Sequence, residues 1–453
     1  MPLERDRANN DSEIVCEIPR NLWLIRFSFA PVAQLDRALA SGAKGCGFDP
    51  RRAHGCCVPN ERTQVATVDA LRNAATLPLE LSSGEMAMFK QSFITFVIVV
   101  LACAVLNAEE PSRLHQPTLT PQDSGTTSGL IAVWPVNPQV VWASGRNGTF
   151  TRTTDGGQTW NAGVVPGAEM LQFRDVQAFS ADVAYLMSIG DNTTDFRVYK
   201  TLDGGATWTI QFENQIPTRF YDGFAFWTPH RGILHGDSMN GVFPDFRTLD
   251  GMTWQDISAN MPPALPGESS FASSGTCVTT QGGRNAWIAT GGAEVARILA
   301  TTDQGNTWNA YDTPLFSSPS AGAFTIDFRD PHHGIVGGGD LDPNDPNNAR
   351  TAVSSDGGRT WTLTSAPPVT GAIFGLSYVG QTGRGGGNNL GHAVVITAND
   401  PPTFTTGTAA WTPDEGNTWF TLPGVSGFWA VAFASPHAGW LVGTDGRILK
   451  IGF

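Results

Sequence analysis

Beyond residue 108 the sequence is poor in cysteine, in lysine and in long apolar runs. Cys277 is the one cysteine of that stretch, so no disulfide can form within it and packing has to hold the fold. Lys200 and Lys450 are its two lysines, and the whole chain sets 28 basic side chains against 41 acidic ones. A formal charge of −13 leaves no basic face to grip phosphate, which argues against nucleic acid and for solubility and cationic partners. With 15% charged residues and 51 glycines beside 30 prolines, the 453 residues suit one large β domain or two ordinary ones.

The first 108 residues differ in kind. They hold five of the six cysteines and a balanced eleven basic and eleven acidic side chains. The run from Phe93 to Leu106, behind Lys90 and ahead of Asn107-Ala108-Glu109-Glu110, has the layout of a secretory signal and is short for a membrane span. Met86 and Met88 stand directly before it. The expectation is therefore a start there, a signal peptide over 86–108 and residues 1–85 as an unstructured leader translated in error. Pro31 to Gly55 reads like the conceptual translation of a transfer-RNA gene. Cys46, Cys56, Cys57 and His54 lack the paired spacing of a zinc framework. Cleavage after Ala108 sends the mature chain to the periplasm or outside the cell, and a lipid anchor at Cys103 is the less favoured alternative.

Six near-copies of one short segment occupy the rest. They centre on Asp155, Asp203, Asp250, Asp303, Asp356 and Asp414, with Trp160, Trp208, Trp254, Trp308, Trp361 and Trp419 closing them. In Thr201-Leu-Asp-Gly-Gly-Ala-Thr-Trp208 the aspartate accepts from the amides of a tight turn and the glycines supply positive φ. Thr207 opens a strand, and the tryptophan anchors it. Spacings of 48, 47, 53, 53 and 58 residues suit propeller blades and not helical solenoids. The pattern S/T-x-D-x-G-x-T-W resembles the Asp-box, or BNR repeat, of β-propellers, with Gly251-Met252 one residue short. Six equivalent turns around a ring cannot converge on one site, so these aspartates are structural.

Each repeat reads as four antiparallel strands, for example over 173–180, 184–190, 196–201 and 207–212. Trp142 to Gly148 aligns with Trp440 to Gly446, and the chain stops where a seventh box would fall. The expected architecture is all-β: one seven-bladed propeller over 129–453. The last blade lacks its outermost strand, which Leu119 to Gly125, within the extended lead 109–128, supplies to close the ring.

Candidate site residues sit on the first strand of each repeat. Counted back from the Phe or Tyr near its end, these are Asp175, Asp222, Phe324, Phe374 and Trp429, with Arg174 and Tyr221 preceding the first two and Glu268 in the loop before the fourth blade. Carboxylates facing aromatic rings would make a channel-mouth platform for a peptide or sugar, or simply polar caps on strand ends. Asp340, Asp342, Asn344 and Asp345 alternate as in a calcium loop, but Asp345 stands where an EF-hand needs glycine, so no metal and no cofactor is expected. His230, His332, His333 and His437 fall in turns between first and second strands, whereas His235, close to Asp237, leaves that pattern. Cys277 reads as a small buried hydrophobe.

Beyond the boxes, FRDVQAF, FYDGFAFW with HRGILHGD, GESSFASSGTC with AWIATGG, and FRDPHHGIVGGGD ahead of SSDGGRTW resemble the photosystem II stability/assembly factor-like family of bacterial and plastid propellers. That resemblance implies an exported, non-catalytic propeller that binds other proteins, an envelope membrane protein among the candidates; a monomer is expected. The alternative is a glycoside hydrolase of sialidase or glucanase type that takes a glycan, with Asp175 and Asp222 as acid and base. The sialidase FRIP segment is absent, FRVY at Phe196 and FRTL at Phe246 being the nearest strings.

Overall fold

Twenty-eight strands among the described residues fall into seven four-stranded antiparallel sheets, arranged as the blades of a ring. The computed structural model describes residues 116–342, 350–380, 391–401 and 403–453. The expected leader, the signal peptide, and Asn344 and Asp345 of the acidic loop lie outside them.

Six blades run in chain order, over 130–164, 172–213, 221–256, 278–312, 321–363 and 372–421, each from the innermost strand outward. The seventh takes three strands from 428–452, and its outermost strand is Thr118–Gln122, paired antiparallel with Ile448–Gly452. The ring is thus closed by the N-terminal segment, as expected. Gln122 shows how the closure is locked: its Oε1 accepts the indole N–H of Trp160 in the first blade and of Trp440 in the seventh, both at 3.1 Å. Both indoles are buried, so this one amide satisfies two donors that water cannot reach.

Burial explains the strand order within a blade. Second strands such as Ala184–Ile189 and Ala438–Gly443 are buried at every position, because neighbouring blades cover both faces. Outer strands such as Asn161–Val164 stay largely exposed. Large rings fill the wedges between blades: Trp287 stacks on Phe328 at 3.6 Å, and its Nε1 donates to the Gly357 carbonyl at 2.9 Å.

The aspartate turns lie between third and fourth strands. Asp203 Oδ1 accepts the Thr207 amide at 2.9 Å and the Thr201 hydroxyl at 2.8 Å, and Oδ2 accepts the Thr207 hydroxyl at 2.6 Å. These hydrogen bonds, that from the Thr207 hydroxyl first, hold the carboxyl below its usual range. Gly204 and Gly205 take φ of 74° and 90°. Where glycine is replaced, Gln304 and Glu415 still adopt φ of 61° and 53°, so the turn imposes its backbone even on residues with a Cβ. The fourth strand of the second blade begins at Thr209, not Thr207, because the turn consumes both Thr207 and Trp208. Only half of the box tryptophans donate their indole N–H: Trp160, Trp361 and Trp419 do, whereas those of Trp208, Trp254 and Trp308 find no acceptor among the described residues.

Candidate functional site

The innermost strands define a central channel, and small side chains keep it open. Ala132, Ala225 and Ala432 stand along its wall, and the space holds a cavity of about 670 Å³. Trp134, Trp227 and Tyr378 line the same cavity. The innermost strands Tyr221–Thr228, Ala321–Phe328 and Phe428–Ser435 lead directly into the turns that carry His230, His332, His333 and His437, so those histidines are turn residues, as expected.

Each innermost strand except that of the fourth blade carries a bulge near its start. The register slips at Ile131, Arg174, Asp222, Phe324, Phe374 and Trp429. Of the five residues expected to be equivalent, Asp222, Phe324, Phe374 and Trp429 therefore do occupy one position, but Asp175 is not among them. Ala178, not Phe179, pairs at the hairpin position held elsewhere by Phe226, Phe328, Tyr378 and Phe433, so counting from Phe179 is one residue out. A one-residue slip turns a side chain to the opposite face. Arg174 takes the bulge position, and Asp175 joins Gln177 on the alternate face.

The bulge residues do not form an open mouth. Ile131, Phe324, Phe374 and Trp429 pack into a buried cluster with Phe271 and Phe404 against it. The Arg174 guanidinium lies 5.3 Å from the Trp429 ring centre and donates to the Ala272 carbonyl at 3.1 Å. Burial first, then the charge of Arg146, lowers its pKa to about 10.

Residues 268–277 make that end of the channel blind. Ala272 is held by Arg174 of the second blade, the Ser274 hydroxyl donates to the Phe374 carbonyl of the sixth at 2.5 Å, and Thr276 meets Thr325 of the fifth at 2.7 Å. A strap so fixed crosses the channel axis. Ser274, Gly275 and Thr276 face the cavity, together with Asp175. Of the expected site residues Asp175 alone lines it; Arg174, Tyr221, Asp222, Glu268, Phe324, Phe374 and Trp429 do not.

Glu268 anchors the strap. It receives Arg297 through both carboxylate oxygens, with Nε to Oε1 at 2.9 Å, and the Thr290 hydroxyl at 2.6 Å. Beside it His235, fully buried, sits between Asp245 (2.8 Å from Nδ1) and Ser270 (2.9 Å from Nε2). The spacing is that of a nucleophilic triad, but the polarity is reversed. The Ser270 hydroxyl proton goes to the Ala289 carbonyl at 2.7 Å, so Nε2 has to donate to Ser270 and cannot act as its base. The relay ties the third blade to the strap. Asp222, fully buried, is raised well above the usual carboxyl range by burial and by the neighbouring, half-buried Asp237. Cys277 is buried and its thiol is likewise pushed up by burial, consistent with a packing role.

Among the described residues the acids on the cavity walls are Asp175 and Asp327, and each accepts a backbone amide of the next innermost strand, Asp327 also one of its own strand. Asp175 Oδ2 accepts the Phe224 amide at 2.8 Å; Asp327 accepts those of Phe328 at 2.8 Å and Tyr378 at 2.9 Å. Gln177 does the same for Phe226 with both amide atoms, at 2.8 and 2.9 Å. Burial raises Asp175 well above its usual value and Asp327 to about 6. Sequence reading missed Asp327 and Gln177, although both stand one residue before the hairpin position and could be found by stepping back one from it. Asp340 is already engaged, accepting the Ser320 hydroxyl at 2.7 Å and the Asp342 amide at 2.8 Å.

A solved structure of YCF48 bound to D1 peptide superposes with a TM-score of 0.53 at 16% identity, over 75% of this chain and 97% of that one. The fold is shared with YCF48. A second YCF48 structure, from Cyanidioschyzon merolae, matches at 15% identity over 74% and 98% of the two chains, with a TM-score of 0.47. The GH74 enzyme of Niastella koreensis matches at 14% identity and a TM-score of 0.50, over 73% of this chain and 53% of the enzyme. No protein-family model matches the chain, and no curated protein does. The seven-bladed form expected from the sequence resemblance is thus met at the level of the fold, which binding proteins and hydrolases share.

Proposed function

We propose that this propeller is an exported, non-catalytic scaffold that binds a segment of another protein in the open end of its central channel. The observation that carries the reading is the cavity of about 670 Å³, closed at one end by the 268–277 strap and walled by Trp134, Trp227 and Tyr378. A blind, partly aromatic pocket suits a side chain or chain end inserted from outside, and rigid rings anchor it at low entropic cost. That a propeller of this fold has been captured with a peptide supports the same mode of action here.

The test is retention of a partner from the native envelope fraction by the wild-type propeller and by Ala432→Trp, which fills the cavity from a wall position. Loss of one discrete protein in the variant, with an unchanged circular dichroism spectrum, supports the reading. Equal retention by both overturns it. A glycan retained by the wild type and shortened on incubation would move the assignment to the hydrolase alternative.

A further inference from the structure

The charge on the cavity walls is one-sided. Asp175 of the second blade and Asp327 of the fifth stand on opposite sides of a seven-bladed ring, and among the described residues no lysine, arginine or histidine lines the space. Neither carboxylate forms an ion pair among the described residues. Each spends its bonds on backbone amides and keeps free lone pairs. Gln281, Ser377 and Thr280 add neutral oxygens, and the half-buried rings of Trp134 and Trp227 add aromatic surface. Elsewhere several acids have a basic partner: Glu268 has Arg297, Asp245 has His235, and Glu415 has Arg329. Asp222, beside Asp237, and the channel pair form no ion pair among the described residues, and of these only the channel pair lines the cavity.

We propose that the cavity is a cation site: the bound segment presents a lysine or arginine side chain that enters the channel and is held between Asp175 and Asp327 against the aromatic wall. The inference rests on the channel being the binding site and adds the chemistry of what enters it. A buried ammonium or guanidinium is favourable only where carboxylates and aromatic faces replace its water, and this channel supplies both. The net negative charge of the chain draws such segments toward it.

The test uses the whole propeller and fluorescein-labelled peptides of sequence Gly-Phe-Lys-Phe-Gly, with lysine replaced by glutamine or glutamate in two controls, measured by fluorescence anisotropy. The lysine peptide is expected to bind at least about tenfold more tightly than the glutamine one, and the glutamate one more weakly still. Asp327→Asn is expected to erase most of the lysine preference. At pH 6 the wild type should release protons on binding, because an adjacent cation draws down the raised Asp327 carboxyl. n-Butylammonium and spermidine as competitors separate a free organic cation from a side chain carried on a peptide: displacement at matching concentrations assigns the site to small cations and overturns the peptide form. Equal affinity for all three peptides overturns the cation site and leaves the channel reading intact. No binding by any peptide, with partner retention still lost in Ala432→Trp, likewise rejects the cation site alone. No binding together with equal partner retention rejects both.

Discussion

Asp327 should make this protein more stable in mild acid. Burial raises its carboxyl from the ordinary 3.8 to about 6, against two backbone amides that pull the other way. Since the folded pKa exceeds the unfolded one, the folded state binds the extra proton between those values. Stability therefore falls as pH rises from the unfolded value through the folded one. At about 1.4 kcal/mol per unit, the full span is about 3 kcal/mol, of which about 2 kcal/mol is lost between pH 4.5 and 7.5. Asp327→Asn does not titrate, so it shifts stability by a constant amount and removes that slope. Asp175 and Asp222, whose carboxyls are also raised, titrate in both proteins and cancel in the difference. The box aspartates, held low, contribute only in stronger acid. Urea unfolding followed by the fluorescence of the 14 tryptophans gives the numbers. Wild type and variant should converge or diverge by about 2 kcal/mol across that pH range. Parallel pH profiles would refute the claim that this carboxyl is desolvated.

Gln122→Leu leaves the indole N–H groups of Trp160 and Trp440 without their acceptor and should cost about 2–4 kcal/mol, read as a lower calorimetric Tm. His235→Ala strands the buried Asp245 carboxyl and should cost about 3–5 kcal/mol in chemical unfolding, while Ser270→Ala should cost about 1–3 kcal/mol. A nearly neutral His235→Ala would contradict the relay's structural role. Trp287→Ala removes a ring stacked on Phe328 and should cost about 3–5 kcal/mol by the same measurement.

Repetition made the fold legible. The turn chemistry of Asp203, the blade spacing, and the alignment of Trp142 with Trp440 lead to seven blades and to an outer strand borrowed from the N-terminal segment, and Thr118–Gln122 takes that place. The site was less legible, for two physical reasons. In the second blade an aromatic lies one residue past the hairpin position, so counting from Phe179 exchanged the roles of Arg174 and Asp175. The 268–277 strap has no local pattern at all. Its course is set by contacts made about a hundred residues away in sequence, such as Ser274 with Phe374, and those contacts bury Phe324, Phe374 and Trp429 behind it. Asp327 and Asp175 became a pair only once the ring placed the second and fifth blades across one channel.

The most direct test of channel binding is site-specific photocrosslinking. Benzoylphenylalanine in place of Trp227, on the cavity wall, is compared with the same group in place of Ile210, on the exposed outer strand of the second blade. The account predicts that the channel position alone crosslinks, in the native envelope fraction, to a single partner segment that contains a lysine or arginine. Crosslinks from position 210 with none from 227 would place the partner on the rim and contradict it.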